Sequence, residues 1–314
     1  MVDQQYDLIG DIHGHADELE GLLCAMDYQR VDNCFRHETR KAIYLGDFID
    51  RGPQQREVLG IVMPMVETGS ALAVMGNHEF NAIAYHSYDD ENGDYRRRHT
   101  PTNQRQHQAF LDAYEDTPDE CREVIDWFKT LPLWLDLGEL RVVHACWDEG
   151  AMLRLKESLA EGNRLTDELI KHSTTYGRQE FRDVETLLKG KEVPLINGHK
   201  FVDNDGHEWP NIRIRWWDQN AKSYHSAFMG PPQAISHIPD DEIKGDHLID
   251  YSHSLPPVFL GHYWMDGTPT PLADNIACVD YSVARTKGRL AAYRWDGERT
   301  LCAEKFVSVE RVEP

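Results

Sequence analysis

Cysteine is scarce and unpatterned in this chain of 314 residues. Its six thiols (Cys24, Cys34, Cys121, Cys146, Cys278 and Cys302) lie far apart with no C-x-x-C pair. That spacing excludes a zinc ribbon and a dense disulfide framework, and reduced thiols are expected. Long apolar runs are also missing. The longest, around Val58 to Val66, is too short to cross a bilayer and reads as a buried helix face. No charged segment followed by an apolar one precedes the first polar motif at Gly10, so no signal peptide and a cytoplasmic location are expected. Positive charge is in deficit, with 33 Lys and Arg against 54 Asp and Glu and a net charge of −21. Such a surface repels polyanions and argues against a broad nucleic-acid footprint, although a cationic metal site can still hold a phosphate. Internal repeats and low-complexity tracts are absent.

What the chain does contain is 40% apolar residues, enough for a sizeable core, and a periodicity that alternates strand, turn and helix near its start. Strand-like runs cover Tyr6 to Ile9, Ala42 to Leu45 and Ala71 to Met75, and helical spacing covers Ala16 to Met26 and Arg56 to Glu67. Periodicity therefore predicts an α/β beginning. Each strand runs into a short polar cluster: Gly10-Asp11-Ile12-His13-Gly14, Gly46-Asp47-Phe48-Ile49-Asp50-Arg51-Gly52 and Gly76-Asn77-His78-Glu79. Carboxylates, an amide and imidazoles would thus gather just beyond the strand ends, the edge where open α/β sheets form sites.

The residue types point to metal chemistry. Asp11 and His13, two apart in a glycine-flanked turn, can reach one ion, and Asp47 can bridge two. Asn77 adds a neutral oxygen, and histidines further along can supply nitrogen. Nitrogen and oxygen donors without thiolate suit manganese, iron or zinc better than copper(I) or an iron–sulfur cluster. Two such ions ~3.5–4 Å apart would hold a bridging hydroxide and clamp phosphoryl oxygens. His78 is the candidate proton donor to the leaving group, Asp50 the carboxylate that orients its ring, and Arg51 a fork for the phosphate oxygens. His15 reads as a surface or supporting residue.

These three clusters, in this order and at this spacing, resemble the calcineurin-like metallophosphoesterases, and within them the phosphoprotein-phosphatase branch. Val142-Val143-His144-Ala145-Cys146 and Val258-Phe259-Leu260-Gly261-His262 resemble the family's two later histidine motifs. The resemblance implies that Asp11, His13 and Asp47 hold one metal and that Asp47, Asn77, His144 and His262 hold the other, with His78 and Asp50 as the acid pair and Arg51 and Asn77 toward the substrate phosphate. His199 in Asn197-Gly198-His199 competes with His262, which is preferred because an apolar strand precedes it. The implied fold has two facing mixed β-sheets flanked by helices, a dimetal site at the strand ends and an inserted cap. The implied cofactors are two divalent or mixed-valence ions, manganese first, iron or zinc otherwise. Among relatives, the chain is most similar to bacterial diadenosine tetraphosphatases and the phosphatase domain of bacterial polynucleotide kinase-phosphatase. Their Asp-Thr-Gly ending is altered here to Asp280-Tyr281-Ser282.

Beyond the motifs, the expectation is one domain over 1–314 with a cap or insertion at about 148–254. A polar excursion is expected between Tyr85 and Gln108, then a helical stretch from Ala109 to Thr130, a hairpin around Gly138-Glu139, and returning strands at Val258 to Leu260, Ile276 to Val279 and Leu290 to Trp295. Arg213, Arg215, Trp216 and Trp217 read as a half-buried strand, with a base-stacking platform as the alternative. Arg96, Arg97 and Arg98 read as a loop that compensates its acidic neighbours, with phosphate capture as the alternative. The expected function is metal-dependent phosphoester hydrolysis. A phosphomonoesterase acting on phosphoprotein or small phosphorylated molecules comes first, a dinucleoside-polyphosphate hydrolase or nucleic-acid-end phosphatase second, and a non-catalytic binding protein last.

Overall fold

The computed structural model describes residues 4–202, 208–230, 232–245 and 247–312. The first three apolar runs become the parallel strands β1 (Gln5–Ile9), β2 (Arg40–Tyr44) and β3 (Ala71–Ala73), with Leu8 opposite Ile43 and Ile43 opposite Leu72. Parallel neighbours need a crossover. Here the crossovers contain α1 (Ala16–Ala25) and α2 (Gln55–Glu67). The hairpin at Gly138 forms as β4 (Trp134–Asp136) and β5 (Arg141–Val143), with Trp134 opposite Val143 and Gly138 at φ 79°. The returning strands are β6 (Val258–Leu260), β7 (Ile276–Cys278) and β8 (Arg289–Trp295), followed by β9 (Phe306–Glu310).

These strands make two mixed sheets, ordered β9-β8-β1-β2-β3 and β7-β6-β5-β4. Strand alternation decides which side chains meet between them. Leu8, Ile43, Leu45 and Val74 from the first sheet side pack with Leu140, Val142, Phe259 and Ala277 from the second, while Ile9, Ala42 and Tyr44 turn to the helix-side core. Burying one such Leu, Ile or Phe fully contributes about 1.5–3 kcal/mol, so register is strongly specified here.

Two expectations change. The stretch expected as one helix from Ala109 to Thr130 is two, α4 (Pro101–Tyr114) and α5 (Pro118–Lys129), following α3 (Asn77–His86). Pro118 disfavours helix at Thr117 and serves as a first-turn residue, which breaks the pattern. At the other helix the Thr100 side chain accepts the Asn103 N–H, and Pro101 opens α4 inside the segment expected to be an excursion. Trp216 is fully buried and its indole N–H lies 3.1 Å from both the Ala145 carbonyl and the Tyr263 hydroxyl. It is a core residue, so it cannot stack on a base. The strand at that place is only Asn211–Arg213, paired with Glu192–Pro194.

Residues 148–254 contribute α6 (Glu149–Leu155), α7 (Asp167–Ser173) and α8 (Gln179–Lys189). Val184, Leu187 and Trp216 of this stretch share one apolar core with Val143, Ala145 and Leu260. The segment is therefore seated against β5 and β6. No helix among the described residues is long and apolar enough to cross a membrane.

Candidate metal centre

The strands end at a common edge, and the polar clusters follow immediately. Asp47 is the centre of what gathers there. It is 2% exposed and its backbone is left-handed at φ 52°, a conformation that costs a non-glycine residue about 1–3 kcal/mol and persists only where the surroundings fix it. The fixing is visible. The Glu79 carboxylate accepts the N–H groups of Asp47 (2.8 Å), Phe48 (2.8 Å) and Gly76 (3.0 Å), and the His78 N–H donates to Asp47 Oδ1 at 2.9 Å. Gly46, at φ 90°, must be glycine because a Cβ would lie 2.3 Å from the Gly76 nitrogen.

The two oxygens of Asp47 face different neighbours. Oδ2 lies 3.7 Å from His13 Nε2 and 3.9 Å from His78 Nε2, while Oδ1 lies 3.4 Å from His144 Nε2. Two donor groups result, His13 with Asp47 and His78, and Asp47 with His144 and His262, each with its ligand atoms within 4.8 Å of one another. Asn77 Oδ1 joins the second at 3.2 Å from His144 Nε2. The imidazoles are oriented from behind. The Nδ1 of His13 is 3.0 Å from the Ile49 carbonyl and that of His144 is 2.6 Å from the Leu45 carbonyl, so the rings can donate there and turn Nε2 inward. His13 Nε2 and His262 Nε2 are buried without a hydrogen-bond partner. Orphaned buried acceptors of this kind are costly, and a bound cation satisfies them.

Asp11 is also 2% exposed, but its carboxylate accepts the His262 N–H at 3.0 and 3.3 Å and falls in neither donor group. Gly261 allows this approach, since a Cβ there would lie 2.2 Å from Asp11 Oδ1. Burial, with Asp280 and Asp47 close by, pushes the Asp11 carboxyl up. Buried carboxylates so crowded favour a dication, and the donor set of imidazole, carboxylate and amide fits manganese, iron or zinc. His199 is exposed and outside both groups. His15 is buried beside Glu18 at 3.6 Å and likewise lies outside them.

His78 Nδ1 sits 2.5 Å from Asp50 Oδ2. Burial opposes charge on both groups, yet Asp47 and Asp50 hold His78 above the ordinary imidazole range, and His107 and His78 hold Asp50 below the ordinary carboxylate range. Sequence reasoning overlooked His107, whose Nδ1 is 2.8 Å from Asp50 Oδ1. Nothing in a polar helix flags one histidine. Glu79 was legible as part of a motif, but its role as a clasp on the Asp47 turn was not. Asp280 was quoted without a role and proves to hold two loops (below).

Arg51, His78 and His262 line a cleft of about 1050 Å³, and Arg97, Arg105, Lys189 and Arg213 make up its cationic wall, with Asp50 and Asp112 as the acidic residues of the lining. Arg97 bonds the neutral groups Asn81 Oδ1 (3.0 Å) and Gln106 Oε1 (2.7 Å), whereas Arg96 and Arg98 pair with Asp89 and Asp94. Of the three consecutive arginines, the middle one faces the cleft.

Residues 6–263 match the calcineurin-like phosphoesterase family. The chain belongs to that family. It is 30% identical over 122 residues to an asymmetrical bis(5'-nucleosyl)-tetraphosphatase, PrpE, of Oceanobacillus iheyensis, covering 36% of this chain and 49% of the relative. It is 29% identical over 169 residues to a symmetrical bis(5'-nucleosyl)-tetraphosphatase of Hamiltonella defensa, covering 50% and 52%. The chain thus spans about half the length of these two curated relatives. A serine/threonine phosphatase structure from Saccharomyces cerevisiae superposes with a TM-score of 0.49 at 14% identity, covering 99% of this chain and 81% of that one. The phosphoesterase has the fold its motifs implied, two facing mixed sheets with helices outside.

Proposed function

We propose that this phosphoesterase is a metal-dependent hydrolase that breaks a phosphorus–oxygen bond, with Asp47 shared between two metal positions. The observation that carries the reading is the pair of donor groups meeting at the two oxygens of Asp47. His13 would hold one position, with Asp11 added to it by the family resemblance and not by the donor groups, and Asn77, His144 and His262 would hold the other. Two divalent cations bound there supply charge neutralisation at the phosphoryl oxygens and activation of the attacking water. His78 donates its proton to the departing oxygen as the bond to phosphorus breaks, and Asp50 holds the ring in the donating orientation. Arg51 takes the non-bridging oxygens. Manganese as the native ion, a cytoplasmic location and a single domain capped by residues 148–254 belong to the same reading.

The cleft reorders the expected substrates. In a chain of net charge −21, five cationic side chains line one cavity, only one of them from a phosphatase motif. A single phosphate on a protein needs fewer. A nucleotide bearing several phosphates fits this wall better, as in the reaction for which the bacterial relatives are named. A simple phosphomonoester is the second reading, favoured by Arg51 and His78 lining the cleft together, a pair that one terminal phosphate can engage. Initial rates with added manganese on diadenosine tetraphosphate and on a panel of phosphomonoesters including phosphopeptides test both, with Asp47→Asn as the blank. Preference for the dinucleotide is expected, and preference for monoesters would reverse the order.

A further inference from the structure

Arg51, which lines the cleft, shares an aromatic ring with a second arginine. Its guanidinium carbon lies 3.9 Å from the centroid of the Trp264 indole, and that of Arg285 lies 4.2 Å from the same centroid. The Trp264 ring is itself 6.3 Å from the ring of His13, which puts this pair of cations beside the donor cluster. A cation over an indole is drawn to the ring's negative face, which orients a long side chain without neutralising it. Neither guanidinium makes a side-chain hydrogen bond or ion pair among the described residues. Both planar forks keep their donors unclaimed.

The loops that bring these groups together are braced. Asp280, 2% exposed, accepts the Trp264 N–H at 2.6 Å and the Ser282 N–H at 2.9 Å, so one buried carboxylate pins both segments. The Met265 N–H donates to the Asp280 carbonyl at 3.0 Å, and the Ser282 hydroxyl donates to the Met265 carbonyl at 3.0 Å. A turn then delivers Arg285, whose N–H donates to the Ser282 carbonyl at 2.8 Å. Trp264 at φ 51° and Ser282 at φ 61° hold left-handed backbone conformations that such bracing stabilises. Two unpaired guanidinium groups on one ring, held by a strained and tightly bonded frame, are arranged for an anion larger than one phosphate.

We propose that Arg285, seated with Arg51 on Trp264, forms a subsite for a second phosphate group of the substrate, next to the one that Arg51 takes. This rests on the hydrolase reading above and sharpens it: the substrate carries at least two phosphates. Arg285 acts in binding, and Trp264 is a positioning residue that works through the two arginines.

The test is steady-state kinetics with manganese on adenosine 5'-tetraphosphate and on p-nitrophenyl phosphate, for wild type, Arg285→Gln, Arg285→Lys and Trp264→Leu. Arg299→Gln, an exposed arginine outside the site, is the control. Losing a charge-assisted phosphate contact weakens binding by roughly ten- to hundredfold. Arg285→Gln is therefore expected to raise the ratio of KM for the tetraphosphate to KM for the monoester by that factor, and Arg285→Lys by less, because lysine keeps charge without the fork. A ratio equal to wild type in Arg285→Gln overturns the subsite. If wild type turns over neither substrate, the hydrolase reading fails separately. Calorimetric titration with inorganic tripolyphosphate then decides the subsite: a weakening of about tenfold or more in Arg285→Gln supports it, and an unchanged Kd overturns it.

Discussion

The two walls of the site, the strand-end donors and the cationic lining of the cleft beside them, are built on different principles. One wall is the strand edge, where Asp11, His13, Asp47, Asn77, His144 and His262 each sit within a few residues of a strand end, and where backbone groups hold the side chains from behind. The other wall takes Arg97 from a short connection, Arg105 from α4, Lys189 from the end of α8 and Arg213 from a two-strand ribbon. Its side chains are braced by other side chains, Lys189 by Glu185 at 2.6 Å, Arg213 by Glu192 at 3.5 Å and Arg97 by two neutral amides. Under the proposed function the strand-end wall would serve the chemistry, and the scattered cationic wall would select the phosphate-bearing molecule.

The largest effect expected comes from Asp47→Asn. Removing the charge at the shared ligand should empty the site of metal and abolish turnover, read by elemental analysis together with initial rates; retained rate would break the contrast between the walls. His78→Asn should keep both metals yet slow hydrolysis of an alkyl phosphate by ~10²–10⁴, the range of general acid catalysis. With a good leaving group such as p-nitrophenol the loss should shrink. An equal loss on both substrates would remove His78 from proton donation.

Wall variants should behave differently. Arg97→Ala and Arg213→Ala should each raise KM for diadenosine tetraphosphate by roughly tenfold with kcat changed little, as expected when a contact made equally in ground and transition states is removed. A fall in kcat of the same size would merge the two walls into one catalytic unit. His107→Phe tests the join between them. It deletes the 2.8 Å contact to Asp50 while keeping a ring against Phe110, so a loss of about two- to tenfold in kcat on alkyl phosphates is expected. The smallest effect on chemistry belongs to Glu79→Gln. Its carboxylate clasps three backbone N–H groups, so the variant should cost about 1–3 kcal/mol of stability, seen in chemical denaturation.

The same contrast explains how much was legible in the sequence. The gathering of candidate donors was readable because each is local to a strand end, so an apolar run followed by Asp, His or Asn carries the placement with it, although Asp11 falls outside both donor groups. The sheets, the hairpin at Gly138 and the choice of His262 over His199 follow from the same short-range pattern. The cationic wall was not readable, because Arg97, Arg105, Lys189 and Arg213 converge only through tertiary packing. Arg97 hides between two arginines that pair with acids. Trp216 departs from both readings offered for it: the strand stops at Arg213, and burial against Ala145 and Tyr263 rules out the alternative of a base-stacking platform. His107 and Asp280 act through hydrogen bonds to residues far along the chain, which spacing does not encode.

The most direct test of the central claim is the metal content of the purified chain after manganese loading and removal of free ion, measured for wild type and Asp47→Asn. Two ions per chain in wild type and strong loss from both positions in the variant are predicted, since one carboxylate serves both. No bound metal in wild type, or a variant that keeps its full complement, would contradict the account.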